Sequence, residues 1–297
     1  MTSIPVICTT STGVVGSLAD AVVAWLLNNG QAVFDGLNTV ILGLADACRT
    51  VLEQPSPWLL ALIIALLGLW RVSATFALVS LLGLNLVVVM QLWDPMLDTL
   101  ALVVASAIVA LAIGLPLGVL AARQPLAWKL TRPLLDLMQT MPAFVYLIPA
   151  VMLFSTGAVP AIIATVVFSM PPVVRLTVLG IQQVPSDLIE AGRSFGCSER
   201  QLLFKVQWPN ALPTVMTGVN QTIMLSLSMV VIASMIGGGG LGDVVLRGIQ
   251  QLNIGLGFEG GLAVVILAVI LDRLSQSLSS PPAVPLRQRL RLLWRGR

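Results

Sequence analysis

Histidine is absent from this 297-residue chain. The commonest metal ligand and the commonest general base are therefore missing. No nucleophile paired with a base and no metal-ligand set is evident, so no catalytic or metal-binding residue is assigned and an intramembrane enzyme is disfavoured. Charge is scarce as well, at 10% of residues, where a water-soluble domain carries about 25%. The three cysteines, Cys8, Cys48 and Cys197, are odd in number, scattered and unlike any metal spacing, and read as small hydrophobes. No G-x-x-x-x-G-K-[ST] loop occurs, and the run Gly237 to Gly240 is followed by no lysine, so the chain carries no nucleotide site of its own. That glycine run reads as a flexible re-entrant turn. The first fifteen residues have neither a basic start nor a long apolar run, and no signal peptide is expected there.

What is present is grease. Hydrophobic residues make up 57% of the chain and the mean hydropathy is +0.96, which predicts an all-α integral membrane protein. Residues 1–57 alternate apolar positions (Val22, Val23, Leu26, Val33, Phe34, Leu37, Val40, Ile41) with Asp20, Asp35, Asp46 and Arg49, predicting one or two helices lying along the membrane face. Residues 58–96 hold two accessory spans, 58–70 and 73–92. A permease-sized core, 97–280, holds spans at 99–122, 134–154, 159–174, 212–236 and 262–278, about seven in all. A basic tail, 281–297, closes the chain. Alternating these spans from an external N-terminus puts fourteen of the sixteen Lys and Arg on the inner side and only Arg49 and Arg247 outside, which sets the orientation with the C-terminus in the cytoplasm. The net charge of +3 thus reflects membrane topology, and no nucleic acid partner is expected.

One charged, amphipathic stretch interrupts the spans, at residues 185–209 (PSDLIEAGRSFGCSERQLLFKVQWP). Pro185 ends the preceding helix, and Asp187 with Glu190 predicts a capping box for a new one. Leu188, Ile189, Ala191 and Phe195 form its apolar side. Gly196 is a left-handed stop, and Ser198 with Gln201 is a second capping box for another short helix running to Pro209. Neither helix is long enough to cross a bilayer.

The spacing of Glu190-Ala191-Gly192, Gly196 and Val206-Gln207-Trp208-Pro209 resembles the EAA loop of ABC importer membrane subunits, E-A-A-x-x-x-G followed after nine residues by I-x-L-P. Gly192, Val206 and Trp208 depart from that pattern. A helical Gly costs about 1 kcal/mol against Ala, so this helix is expected to gain order from a partner. The resemblance implies that Asp187, Glu190, Ala191, Gly192, Gly196 and Pro209 form the element that couples to a separate ATPase.

Segments 139–154, 168–191 and 220–242 further resemble membrane subunits of the glycine betaine, proline betaine and choline importers, with likeness over residues 97–278. That family implies a type I ABC importer (MetI-like) permease fold and a homodimer in the bacterial inner membrane. It also implies two ATPase subunits holding ATP and Mg, and a substrate-binding protein outside. Polar residues in the spans, Gln139, Tyr146, Asn220, Gln221, Ser226 and Ser228, with Phe144, are candidates for the translocation pathway, the alternative being helix-to-helix hydrogen bonding and core packing. With aromatics at 5%, no aromatic cage for a quaternary ammonium is apparent; in the family that box belongs to the binding protein. The tail at 285–297 is expected to meet anionic lipid as a positive-inside anchor. The rival reading, an ion-coupled carrier or channel, calls for ionisable groups at span centres, which the sequence lacks.

Overall fold

The computed structural model describes residues 14–279, and among these every regular element is a helix. A 40-residue helix, α1 (Val14–Glu53), precedes the hairpin of α2 (Pro57–Arg71) and α3 (Ala74–Val89). Then come α4 (Trp93–Arg123), α5 (Pro125–Thr140), α6 (Ala143–Phe154) and α7 (Ala158–Gln182). Short helices α8 (Ser186–Ser194) and α9 (Glu199–Gln201) lead through a π-helical turn, Leu202–Gln207, into α10 (Trp208–Ala233). A 3-10 turn at Ser234–Ile236, α11 (Leu241–Gln250) and α12 (Ile254–Ser279) complete the order. Cys8 and the basic tail at 281–297 lie outside the described residues.

The centre of the molecule is α4, α7 and α10, and glycine is what brings them together. A Cβ on Gly114 would stand 2.6 Å from Val173 Cγ1, and one on Gly118 2.7 Å from Thr177 Cβ, so α4 closes on α7 along a small-x-x-x-small ridge. Across the other face of α7, a Cβ on Gly218 of α10 would meet the Val173 Cα at 3.0 Å. The three helices are thus packed closely along their glycine positions, in keeping with the density of a protein interior. This ridge was not expected, although Gly114-Leu-Pro-Leu-Gly118 spells it.

Several expectations about the spans are corrected. Among the described residues four stretches are long and apolar enough to cross a bilayer: α4, α7, the continuous rod Glu199–Ile236, and α12. The count of about seven is reached only when α3, at 16 residues, and two bent pairs are each taken as a span. One bent pair is α5 with α6, which meet at 101°. Residues 134–154, expected as one span, are therefore a broken helix: Pro142 supplies no N–H and forces Met141 into an extended conformation, ψ 137°. Pro149 stays inside α6. The fifth span does not stop before Arg175 but continues as α7 to Gln182. The last span starts at Ile254, not in the 260s, because the glycines ahead of it are helical contacts. There Gly248 of α11 crosses Gly257 of α12 so closely that a Cβ would lie 2.5 Å from the Gly257 nitrogen.

The long α1 turns into α2 at 92°. Its contacts are with one end of the bundle. Phe34 stacks edge-on against Phe154, the last residue of α6, with ring centroids 5.4 Å apart. Arg49 reaches Asp98 in the second turn of α4 at 3.3 Å. At the same end, Gly240 adopts φ +77°, and a Cβ there would clash with Thr99 Oγ1 at 2.4 Å. This glycine lets the α11 N-terminus reach Thr99, whose hydroxyl accepts from the Leu241 N–H at 2.8 Å. The glycine run is thus a fitted turn rather than a loose one.

Candidate functional site

The stretch 185–209 sits at the opposite end of the bundle from α1. Pro185 is the residue before α8, and no side chain caps that helix. The expected capping box of Asp187 with Glu190 is not made: with Asp187 as cap the helix would begin at Leu188, but α8 starts two residues earlier, at Ser186, so Asp187 lies inside the first turn. There its charge still complements the helix dipole. The far end of α8 is closed as the sequence predicts. Gly196 takes φ +75°, its N–H bonds the Arg193 carbonyl at 2.9 Å, and the Cys197 N–H bonds the Gly192 carbonyl at 3.1 Å. Those two bonds are a Schellman motif. Immediately afterwards Ser198 and Gln201 form the predicted capping box, with Ser198 N–H to Gln201 Oε1 at 2.9 Å and Gln201 N–H to Ser198 Oγ at 3.4 Å. A stop and a start, back to back, make a tight turn between α8 and α9.

Beyond that turn the chain departs from expectation. The second helix does not end at Pro209 but passes through it as part of one rod, Glu199–Ile236. The physical reason is the wide turn at Leu202–Gln207. There the Trp208 N–H reaches back five residues to the Leu203 carbonyl, giving the proline ring the space that an α-turn denies it. Asn210 donates its side-chain amide to the Val206 carbonyl at 2.7 Å.

Gly192, read from sequence as a helix weakness, is the contact residue. It is the one buried residue of α8, and a Cβ there would stand 2.8 Å from Leu202 Cδ1. The helix is thereby seated on the buried Leu202 and Leu203 of the wide turn. Of the apolar side expected of α8, Ile189 is half-buried, whereas Leu188 is exposed and Phe195 is 89% exposed; Phe204 of the wide turn is 65% exposed. Glu190 and Ala191 are exposed beside them. An exposed pair, Arg193 with Glu199 at 3.5 Å, bridges the turn and adds little stability.

The polar residues of the spans divide into two groups. Three are engaged with other elements of the chain, and Ser228 donates to the Met224 carbonyl of its own helix at 3.2 Å. Tyr146 donates its hydroxyl to the Met138 carbonyl across the α5–α6 break, and its ring packs edge-on to Phe168 at 6.4 Å. Asn220 accepts from Ser275 of α12, and the buried Ser226 bonds Ser169 of α7 at 3.0 Å. The other four, Gln139, Phe144, Gln221 and Ser228, are exposed on the single chain. The structure therefore does not gather the seven candidates into one pocket.

Residues 114–280 match the family described as binding-protein-dependent transport system inner membrane component. The chain belongs to that family. The permease protein ProW of the glycine betaine/proline betaine transport system of Escherichia coli (strain K12) is 51% identical over 255 residues, covering 85% of this chain and 72% of that protein. The glycine betaine transport system permease protein OpuAB of Bacillus subtilis (strain 168) is 46% identical over 261 residues, covering 88% and 93%. Among solved structures, the inward-facing MetNI methionine ABC transporter matches with a TM-score of 0.57 at 22% identity, over 61% of this chain and 91% of that one. That likeness speaks for the fold, a type I ABC importer permease of MetI-like kind. As a member of this permease family the chain is a multi-pass inner-membrane transport subunit, and ATP hydrolysis belongs to separate ATPase subunits.

Proposed function

We propose that this permease is one of two identical membrane halves of an importer for a quaternary ammonium compatible solute (glycine betaine, proline betaine or choline) delivered by an external binding protein. Each half engages one ATPase subunit, which holds ATP and Mg. The observation that carries this reading is the exposed knob of Glu190, Ala191 and Phe195, locked by Gly192 and the Gly196 turn to the foot of a 38-residue rod. Closure of the ATPases pushes on α8, the rod moves as one body, and α7 and α4 move with it because their glycine contacts permit no slip. The two halves then rock between inward- and outward-facing states.

The orientation, N-terminus outside and C-terminus in the cytoplasm, rests on the distribution of basic residues. It is consistent with α1 lying along the outer face across the ends of α4 and α6. Glycine betaine as cargo rests on the likeness to ProW and OpuAB, permeases of glycine betaine transport systems. The exposed Gln139, Phe144, Gln221 and Ser228 are the span residues available to a second copy and to the path between the copies. Tyr146, Asn220 and Ser226 serve the packing of the half itself.

The test is uptake of labelled glycine betaine into vesicles holding the permease and its ATPase, with the binding protein supplied on the substrate side. Glu190→Ala is expected to lower ATP-driven uptake by roughly tenfold, within the range of a coupling free energy, while the chain still inserts and the ATPase still turns over. Undiminished uptake in that variant removes the coupling role from α8. Uptake that needs an ion gradient and no ATP establishes the rival carrier.

A further inference from the structure

On the same side of the bundle as the coupling segment, α5 and α7 enclose a pocket of about 290 Å³. Trp128 and Arg132 of α5 and Arg175, Leu179 and Gln182 of α7 line it. Two guanidinium groups thus share one small space, and Lys129 stands three residues before Arg132. Against these three bases the nearby acid is Asp136, which accepts from one Arg175 Nη. The Arg175 Nε is buried with no hydrogen-bond partner. Among the described residues Arg132 enters no ion pair. A partly buried guanidinium with an idle donor beside a second guanidinium is unfavourable unless an anion bridges them. Two planar forks are best bridged by a group with several acceptor oxygens, and a phosphate is such a group.

The surroundings indicate that the phosphate is carried by a lipid. On the far side of α5, Leu126, Leu130, Leu134 and Leu137 recur at helical spacing and all are exposed, which places α5 along an apolar–polar boundary. The pocket itself couples its cations to a wall of Leu176, Val178 and Leu179 and to an indole, the combination found at membrane interfaces. Basic pockets between spans on the cytoplasmic side suit anionic headgroups.

We propose that the α5–α7 pocket binds the headgroup phosphate of an anionic phospholipid, held between Arg132 and Arg175, with Trp128 against the glycerol. The bound lipid ties the elbow helix α5 to the end of α7. Gln182, which lines the pocket, is the last residue of α7 and stands just ahead of Pro185 and α8. Occupancy therefore firms the segment that leads into the coupling helix. This inference is independent of which solute is carried.

The experiment uses the purified transporter complex in detergent, with bound lipid counted by native mass spectrometry. Three probes are added separately: phosphatidylglycerol, phosphatidylcholine with the same chains, and glycerol 3-phosphate. The wild type is expected to retain phosphatidylglycerol at least tenfold more strongly than phosphatidylcholine. Arg132→Gln is expected to retain one fewer phosphatidylglycerol per permease chain, and Arg132→Lys, which keeps the charge, to retain an intermediate amount. Unchanged retention in Arg132→Gln, or equal retention of the two lipids by the wild type, overturns the proposal. Displacement of the lipid by an equal concentration of glycerol 3-phosphate overturns the lipid source and assigns the pocket to a soluble phosphate ester.

Discussion

Pro142 and Pro209 both sit where one helical stretch runs into another, and the chain treats them in opposite ways. At Pro142 it breaks, and α6 leaves α5 at 101°. At Pro209 it holds, and the rod continues for the whole of Glu199–Ile236. The difference lies in how the backbone groups around each ring are satisfied. Pro142 has no N–H for the Met138 carbonyl four residues back, and the Tyr146 hydroxyl supplies the missing donor from the next helix. That bond stabilises the bent form. Around Pro209 a π-helical turn takes up the strain, with Trp208 bonding Leu203 and the Asn210 amide on Val206. That arrangement stabilises the straight form. A proline in a membrane helix is thus a question put to its neighbours, and their side chains decide between a joint that bends and a strut that transmits.

The comparison is broken most severely at the input of the strut. Gly196→Val forces a β-branched residue to φ +75°, a strain on the order of 1–3 kcal/mol, and disrupts the Schellman bonds that hold α8 to the rod. Uptake is expected to fall by more than about tenfold with the chain still in the membrane, as read by transport assay and membrane fractionation. Next comes the strut itself. Pro209→Ala removes the need for the wide turn and restores a donor, which favours a regular helix by up to about 3 kcal/mol. A higher melting temperature of the complex and loss of the π-turn in a structure of the variant are the expected results. An unchanged wide turn would show that Pro209 is not its cause. The smallest effect is at the elbow: Tyr146→Phe deletes one hydrogen bond, about 1 kcal/mol. It should lower the melting temperature slightly and leave the KM for the transported solute untouched. A raised KM would return Tyr146 to the translocation path.

Local grammar was legible in the sequence; its outcome in three dimensions was legible only in part. Gly196, Ser198 and Gln201 were readable because a left-handed stop and a capping box are closed by residues within a few positions of each other. The start of α8 was misplaced by two positions, since the helix begins directly after Pro185 with no side-chain cap. Pro209 reads as a stop in isolation, and nothing in its own neighbourhood announces a π-turn. The same limit applied to Pro142, where a kink and a break share one sequence. Six of the seven pathway candidates were chosen for polarity, and polarity does not say whether the partner is Ser169, Ser275 or a passing solute. The ridge of Gly114 and Gly118 was spelled in plain view, but small residues carry neither charge nor polarity to mark them as contacts.

The turn between α8 and α9 satisfies its own amides and carbonyls through the Schellman bonds and the capping box. A polypeptide that lands on it finds few main-chain groups left to recruit, and must recognise it by the shape and charge of Glu190, Leu188 and Phe195. The geometry of the tip and the identity of its address are therefore separable. On the proposed coupling role, exchanging those three side chains for the set of another transporter should redirect which motor answers without reshaping the handle.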